Sequence, residues 1–338
     1  MNQYQEREYS KQVYYRLIAL WVICEAFAGG IMHAAKLPFT GLVVSSLAIT
    51  CIILIAYYVP TKGAILKATL IVAIFKLMLS PHSPPTAYIA VFFQGLMGQL
   101  LLMNRRYFKV SSVLLAVLSL FESAIQRILV LLLFSGTDLW KAVNQFIQKT
   151  TGEKDLTDYS LGLAIGYVIL HALIGIFVGI AAVRLATLSA GWKNETPSLL
   201  IDNAFSGTAI VTKRNNRKRK LKPAFVIILL ALLALYIQSY IDPKYAVIQS
   251  HIILNILLRS ILILLVWYLV AGPLIMFALK RSLRLQQQKY KQEINEVMLL
   301  LPQIRYIFKR SFKLSESRKG LARIKLFLKT LLVNVLAD

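Results

Sequence analysis

The chain has 338 residues, 57% of them apolar and 16% charged, and its 39 Lys and Arg against 15 Asp and Glu leave a formal charge of +24. A soluble domain usually has about 45–50% apolar and about 25% charged residues. The balance therefore argues against a soluble enzyme of ordinary composition, and strongly against a disordered basic tail. It fits an all-α polytopic membrane bundle of about eight transmembrane helices, with basic connections and cytoplasmic amphipathic helices.

Eight apolar runs follow along the chain, at 17–35, 41–59, 64–80, 86–103, 110–134, 159–188, 223–241 and 249–279. Each can cross about 30 Å of hydrocarbon at 1.5 Å per residue. The first begins after a polar stretch and is too long for a signal-peptide core, so it reads as a retained helix. The third carries Lys67 and Lys76. The eighth contains Gly272-Pro273, where a missing donor should kink or end the span.

Placing the N-terminus in the cytoplasm puts 31 Lys and Arg on that side and 5 on the other. That asymmetry predicts a multi-pass protein of the plasma (inner) membrane with both termini cytoplasmic. The basic segment Lys213–Lys222 reads as a topology anchor on anionic lipid, not a nucleic-acid site. It divides the chain into a six-span domain (1–190), a basic cytoplasmic linker (191–222), a two-span membrane part (223–279) and a cytoplasmic amphipathic tail (280–338).

No Walker motif, His-Glu-x-x-His or Gly-x-Ser-x-Gly is present, and the four histidines lack ligand spacing. Neither catalysis nor a cofactor or metal is expected. Cys24 and Cys51 lie within apolar runs and read as small buried hydrophobes.

Small residues recur at four-residue spacing, as Ala26, Gly30 and Ala34 in the first run and Gly175 with Gly179 in the sixth. Such stripes let helices approach closely, within one bundle or against another subunit. Ionisable and polar residues inside spans are expensive and usually face a polar interior. Glu25, Gln94, Glu122 and His171 fall near mid-span, with Lys76 and Arg127 nearer the outer end. The stiff connection Ser80-Pro81-His82-Ser83-Pro84-Pro85 places His82, Tyr88, Phe92 and Phe93 near the outer mouth. These residues are the candidate lining of one substrate pocket. Two cations above two acids favour a substrate with an anionic group outermost.

In the tail, Tyr290, Ile294, Val297, Met298 and Leu301 recur on one helical face. Pro302 is expected to interrupt that helix, and further apolar sets follow it, including Leu321, Ile324 and Leu328. A basic amphipathic helix lies on a membrane surface or in a partner's groove.

The stripe Ala26-x3-Gly30-x3-Ala34, the 80–85 connection and the apolar pattern through Leu188 resemble the substrate-binding S component of energy-coupling-factor transporters. The resemblance implies a small-molecule uptake subunit whose first-helix stripe contacts a transmembrane T component. The two-span part and tail look like a shortened T component. In that family short Ala-Arg-Gly motifs on cytoplasmic helices dock on paired ATPases. Here Ala322-Arg323, within Leu321-Ala322-Arg323-Ile324, matches its first two positions.

Overall fold

The computed structural model describes residues 3–25, 40–80, 83–136, 138–151, 159–195, 199–201, 237–238 and 250–337. Their regular structure is entirely helical. In chain order the helices are α1 (Gln3–Ile23), α2 (Thr40–Tyr58), α3 (Ala64–Leu79), α4 (Pro85–Leu101) and α5 (Phe108–Ser135, entered by a 3-10 turn at Arg105–Tyr107). Then come α6 (Asp138–Thr151), α7 (Tyr159–Glu195), α8 (Ser250–Val266), α9 (Gly272–Lys289), α10 (Lys291–Ser315) and α11 (Gly320–Val335).

Four helical stretches are long and apolar enough to cross a membrane: Thr40–Tyr58, Arg105–Ser135, Tyr159–Trp192 and Ile256–Lys289. They coincide with the second, fifth, sixth and eighth apolar runs. The third and fourth runs form α3 and α4, of 16 and 17 residues. Most of the first run beyond Glu25, nearly all of the seventh, and the Lys213–Lys222 segment lie outside the described residues. Gly272-Pro273 does not end the eighth run. A wider π turn at Trp267–Ala271 precedes it, and the Gly272 N–H bonds the Trp267 carbonyl. That turn accommodates the proline's missing donor.

The chain divides into two units. Unit 1 holds Met1–Ser123, His171–Ile210 and Met276–Asp338, and unit 2 holds Ala124–Leu170 and Val211–Ile275. In unit 1, α1 is buried almost all round from Val13 to Glu25, as an apolar central helix must be. It packs against α2, α3, α10 and α11. Unit 2 pairs α6 with α8. There Ser260 Oγ donates to the Phe134 carbonyl at 3.1 Å, and the Ser160 N–H donates to Asn144 Oδ1 at 2.8 Å.

The tail departs most from expectation. Pro302 lies inside the continuous helix α10 and does not interrupt it. The apolar face of α10, with Ile294, Val297, Ile304 and Ile307, is buried in the core that α1 also builds. It therefore faces its own chain rather than lipid or a partner's groove. Burying each such side chain contributes about 1.5–3 kcal/mol. Lys67 on α3 pairs with Glu293 on α10 at 2.6 Å. The end of α11 is tied down as well. Tyr9 Oη and Arg16 donate to the carbonyls of Leu336 and Ala337, and Asn334 bonds both Leu199 O and Ile201 N.

Candidate functional site

Trp21 on α1 and Glu25 in the π turn that continues it are four residues apart, about one helical turn. On α4 the buried positions are Pro85, Tyr88, Val91, Gln94, Gly95, Gly98 and Gln99, a helical repeat that turns Tyr88 and Gln94 inward. Gly95 is required there because a Cβ would overlap the Thr69 side chain on α3. Pro84 is extended and Pro85 opens α4, since proline's fixed φ and missing donor suit a first helical turn.

These helices bring one ion pair together. Lys76 Nζ on α3 donates to Glu25 Oε2 at 2.6 Å, with side chains 9% and 3% exposed. The ammonium also reaches the Ala87 carbonyl at 3.4 Å and sits 6.0 Å from the centre of the Tyr88 ring. Lys76 is therefore buried and paired and does not snorkel outward. Two charges so withdrawn from water persist only with close mutual contact and further hydrogen bonds.

On the same helices, buried polar groups stand without partners. Tyr88 is fully buried and its hydroxyl has no hydrogen-bond partner among the described residues. Gln94 Nε2 donates to Ser45 Oγ on α2 at 3.1 Å, while its Oε1 is unpartnered. The Trp21 indole N–H is also buried and unpartnered. Each buried group left so costs about 1–3 kcal/mol. Cys24, next to Glu25, and Cys51 are buried free thiols.

The other expected pocket residues are spread over α4, α5 and α7. Phe92 is half-buried against the unit 1 core. Glu122, on α5 in unit 1, has an unpartnered Oε2. His171 is buried on α7. Arg127 is exposed and belongs to unit 2. His82, Ala26, Gly30 and Ala34 lie outside the described residues. Gly175 and Gly179 meet α5 of the same chain. A Cβ on Gly175 would lie 2.8 Å from Val117 Cα, and one on Gly179 2.6 Å from Val113 Cα. Their stripe thus serves packing within this chain.

At the α10–α11 turn, Arg323 is engaged internally. Its guanidinium stacks 4.9 Å from the Phe312 ring centre and lies 3.8 Å from Glu316. Leu321 and Ile324 are 84% and 55% exposed, and Ala322 is exposed beside them.

Sequence reasoning missed Trp21 and Ser45. Trp21 had the signal of lying one turn before Glu25, and Ser45 that of a hydroxyl within an apolar run. It also missed α6, whose Leu139, Ala142, Val143 and Phe146 carry helical spacing between the fifth and sixth apolar runs. Among the described residues, no three His, Cys, Asp or Glu side chains gather as metal ligands. Comparison of the chain with known protein families, with characterised proteins and with solved structures gives no match.

Proposed function

We propose that the chain is a multi-pass membrane subunit for uptake of a small molecule, with eight spans, both termini cytoplasmic, and ATP hydrolysed by separate subunits. The observation that carries this reading is the buried Glu25–Lys76 pair beside the Tyr88 ring, with Gln94 buried further along α4, inside a bundle of apolar helices. Its unpartnered Tyr88 hydroxyl and Gln94 carbonyl, with the Trp21 N–H, are groups that a polar ligand satisfies. Because Glu25 matches the charge of Lys76, the ligand is a neutral polar molecule rather than the anion expected from two cations placed above two acids. The aromatic surfaces of Tyr88 and Phe92 supply apolar contact area.

The test is purification from native membranes followed by mass spectrometry. A small molecule retained at near-equal stoichiometry and a co-purifying Walker-motif ATPase are expected. A preparation repeatedly free of both contradicts the reading.

A second reading, a membrane-anchored scaffold recruiting a cytoplasmic partner, is favoured by one observation. Leu321 and Ile324 stay exposed while most of the tail's apolar face is buried on its own chain. Leu321→Ser with Ile324→Ser separates the two readings. In a transport subunit it removes the ATPase and leaves the small molecule bound. In a scaffold no small molecule is retained at the start.

A further inference from the structure

A second polar site lies away from the ion pair. A cleft of about 110 Å³ opens where α2 ends, α3 begins and α4 ends, lined by Val59, Thr61, Lys62, Gln99, Met103 and Arg105. The chain turns sharply there. The Thr61 N–H bonds the Val59 carbonyl at 2.8 Å, and Gly63 takes a left-handed φ of 82° to enter α3. Lys62 stands exposed at the rim. Arg105 uses Nη2 to hold the Tyr57 carbonyl at 3.0 Å. A guanidinium has five N–H donors, so others remain for a ligand. Gln99 forms part of the wall. It is only 9% exposed, and its Oε1 has no partner among the described residues.

The position of the cleft says what it meets. Two membrane-length stretches, Thr40–Tyr58 and Arg105–Ser135, both end at it. It therefore sits where apolar span gives way to polar connection, the level of lipid headgroups. Met103, Tyr107 and Val110 are exposed beside it, as apolar and interfacial aromatic side chains are at that level.

Two cations select an anion, and phosphate oxygens match both the guanidinium fork and the ammonium. The buried amide adds a second requirement. Gln99 Oε1 is enclosed in the wall, so a hydroxyl near the phosphate meets the amide when that side chain turns toward the cleft, donating to its oxygen or accepting from its nitrogen. The cleft's volume of about 110 Å³ suits a compact anion such as a phosphate ester.

We propose that this cleft is a glycerophosphate-binding site, with the phosphate on Lys62 and Arg105 and a glycerol hydroxyl on Gln99. In the membrane the source is the headgroup of a phosphatidylglycerol-type lipid. In solution the same chemistry is offered by free glycerol phosphate.

The test is native mass spectrometry of the full chain released from nanodiscs of equal phosphatidylglycerol and phosphatidylcholine, with glycerol 3-phosphate or inorganic phosphate added in separate arms. Preferential retention of phosphatidylglycerol is expected. It should fall about fivefold for each cation removed, in Lys62→Gln and in Arg105→Gln, and fall again in Gln99→Leu. Retention unaffected by either soluble phosphate assigns the site to lipid. Displacement by glycerol 3-phosphate but not by inorganic phosphate assigns it to the soluble ester and supports the same chemistry. Equal retention of both lipids with no effect of either competitor overturns the proposal. Lys62 is exposed at the rim, so Lys62→Gln keeps the test valid should Arg105→Gln misfold. Unchanged preference in a folded Lys62→Gln protein also overturns it.

Discussion

Removing the carboxylate in Glu25→Gln leaves the Lys76 ammonium without its counter-charge at a position where the side chain is 9% exposed. Truncating one member of a buried pair costs about 3–5 kcal/mol, most of it the uncompensated charge. In a unit of this size each kcal/mol shifts the unfolding midpoint by about 2–4 °C, so the loss should be about 6–20 °C. Lys76→Met alone should also destabilise, by leaving Glu25 buried and unpaired. The double variant Glu25→Gln/Lys76→Met carries no buried charge and should recover to within about 1 kcal/mol of the parent. The assay is thermal unfolding in detergent, followed by fluorescence-detected size exclusion, on all four proteins as a double-mutant cycle. Two results would refute the reasoning. One is a single variant that loses less than about 1 kcal/mol. The other is a double variant no more stable than its worse parent.

Three further outcomes follow from other contacts. Gly179→Val puts a Cβ 2.6 Å from Val113 Cα, whereas Gly162 has open space around it; the first should cost about 1–3 kcal/mol by overpacking and Gly162→Val under about 0.5, and equal midpoints would contradict the α5–α7 contact. Burial acts to raise the Glu293 carboxyl, but its bond to Lys67, its own backbone N–H and the charges of Lys67 and Lys11 outweigh that and hold it below the usual carboxylate range. A lowered folded value stabilises above the unfolded pKa of about 4.3 and is lost as pH falls through the folded value. Because the pair is partly exposed, the effect is under about 1 kcal/mol. Glu293→Gln should accordingly flatten the acid limb of unfolding midpoint against pH, and parallel limbs would refute it. In a Cys-free background, Ser83→Cys should react with an impermeant thiol reagent in intact cells; protection at 83 with labelling at Arg106→Cys would invert the topology.

The long helices were legible because about 20 consecutive apolar residues leave lipid few alternatives. The helical spacing of Ile294, Val297 and Leu301 also announced α10. What covers that face was not legible, because lipid, a partner groove and the chain's own α1 all satisfy the same apolar stripe. Pro302 misled because helix breaking is a local preference, and the packing of Ile294, Val297, Ile304 and Ile307 on both sides of it outweighs one lost backbone bond. Lys76 and Glu25 each read as intramembrane charges, but 51 positions separate them and no spacing rule reports a contact between α1 and α3. The same holds for Gln94 with Ser45. The glycines of the sixth run were read as a close-contact surface, and only the structure says that α5 fills it.

The central claim, that the cluster on α1, α3 and α4 holds a small molecule, is tested most directly by measuring what the purified protein retains before and after Tyr88→Phe/Gln94→Met. The Tyr88 hydroxyl and Gln94 Oε1 have no partner among the described residues, so removing them relieves their desolvation cost and offsets the lost Ser45 bond of about 0.5–1.5 kcal/mol, leaving stability unchanged or slightly raised. Retained ligand should fall severalfold in the same folded preparation. A ligand signal equal in parent and variant, with both proteins folded, would contradict the assignment.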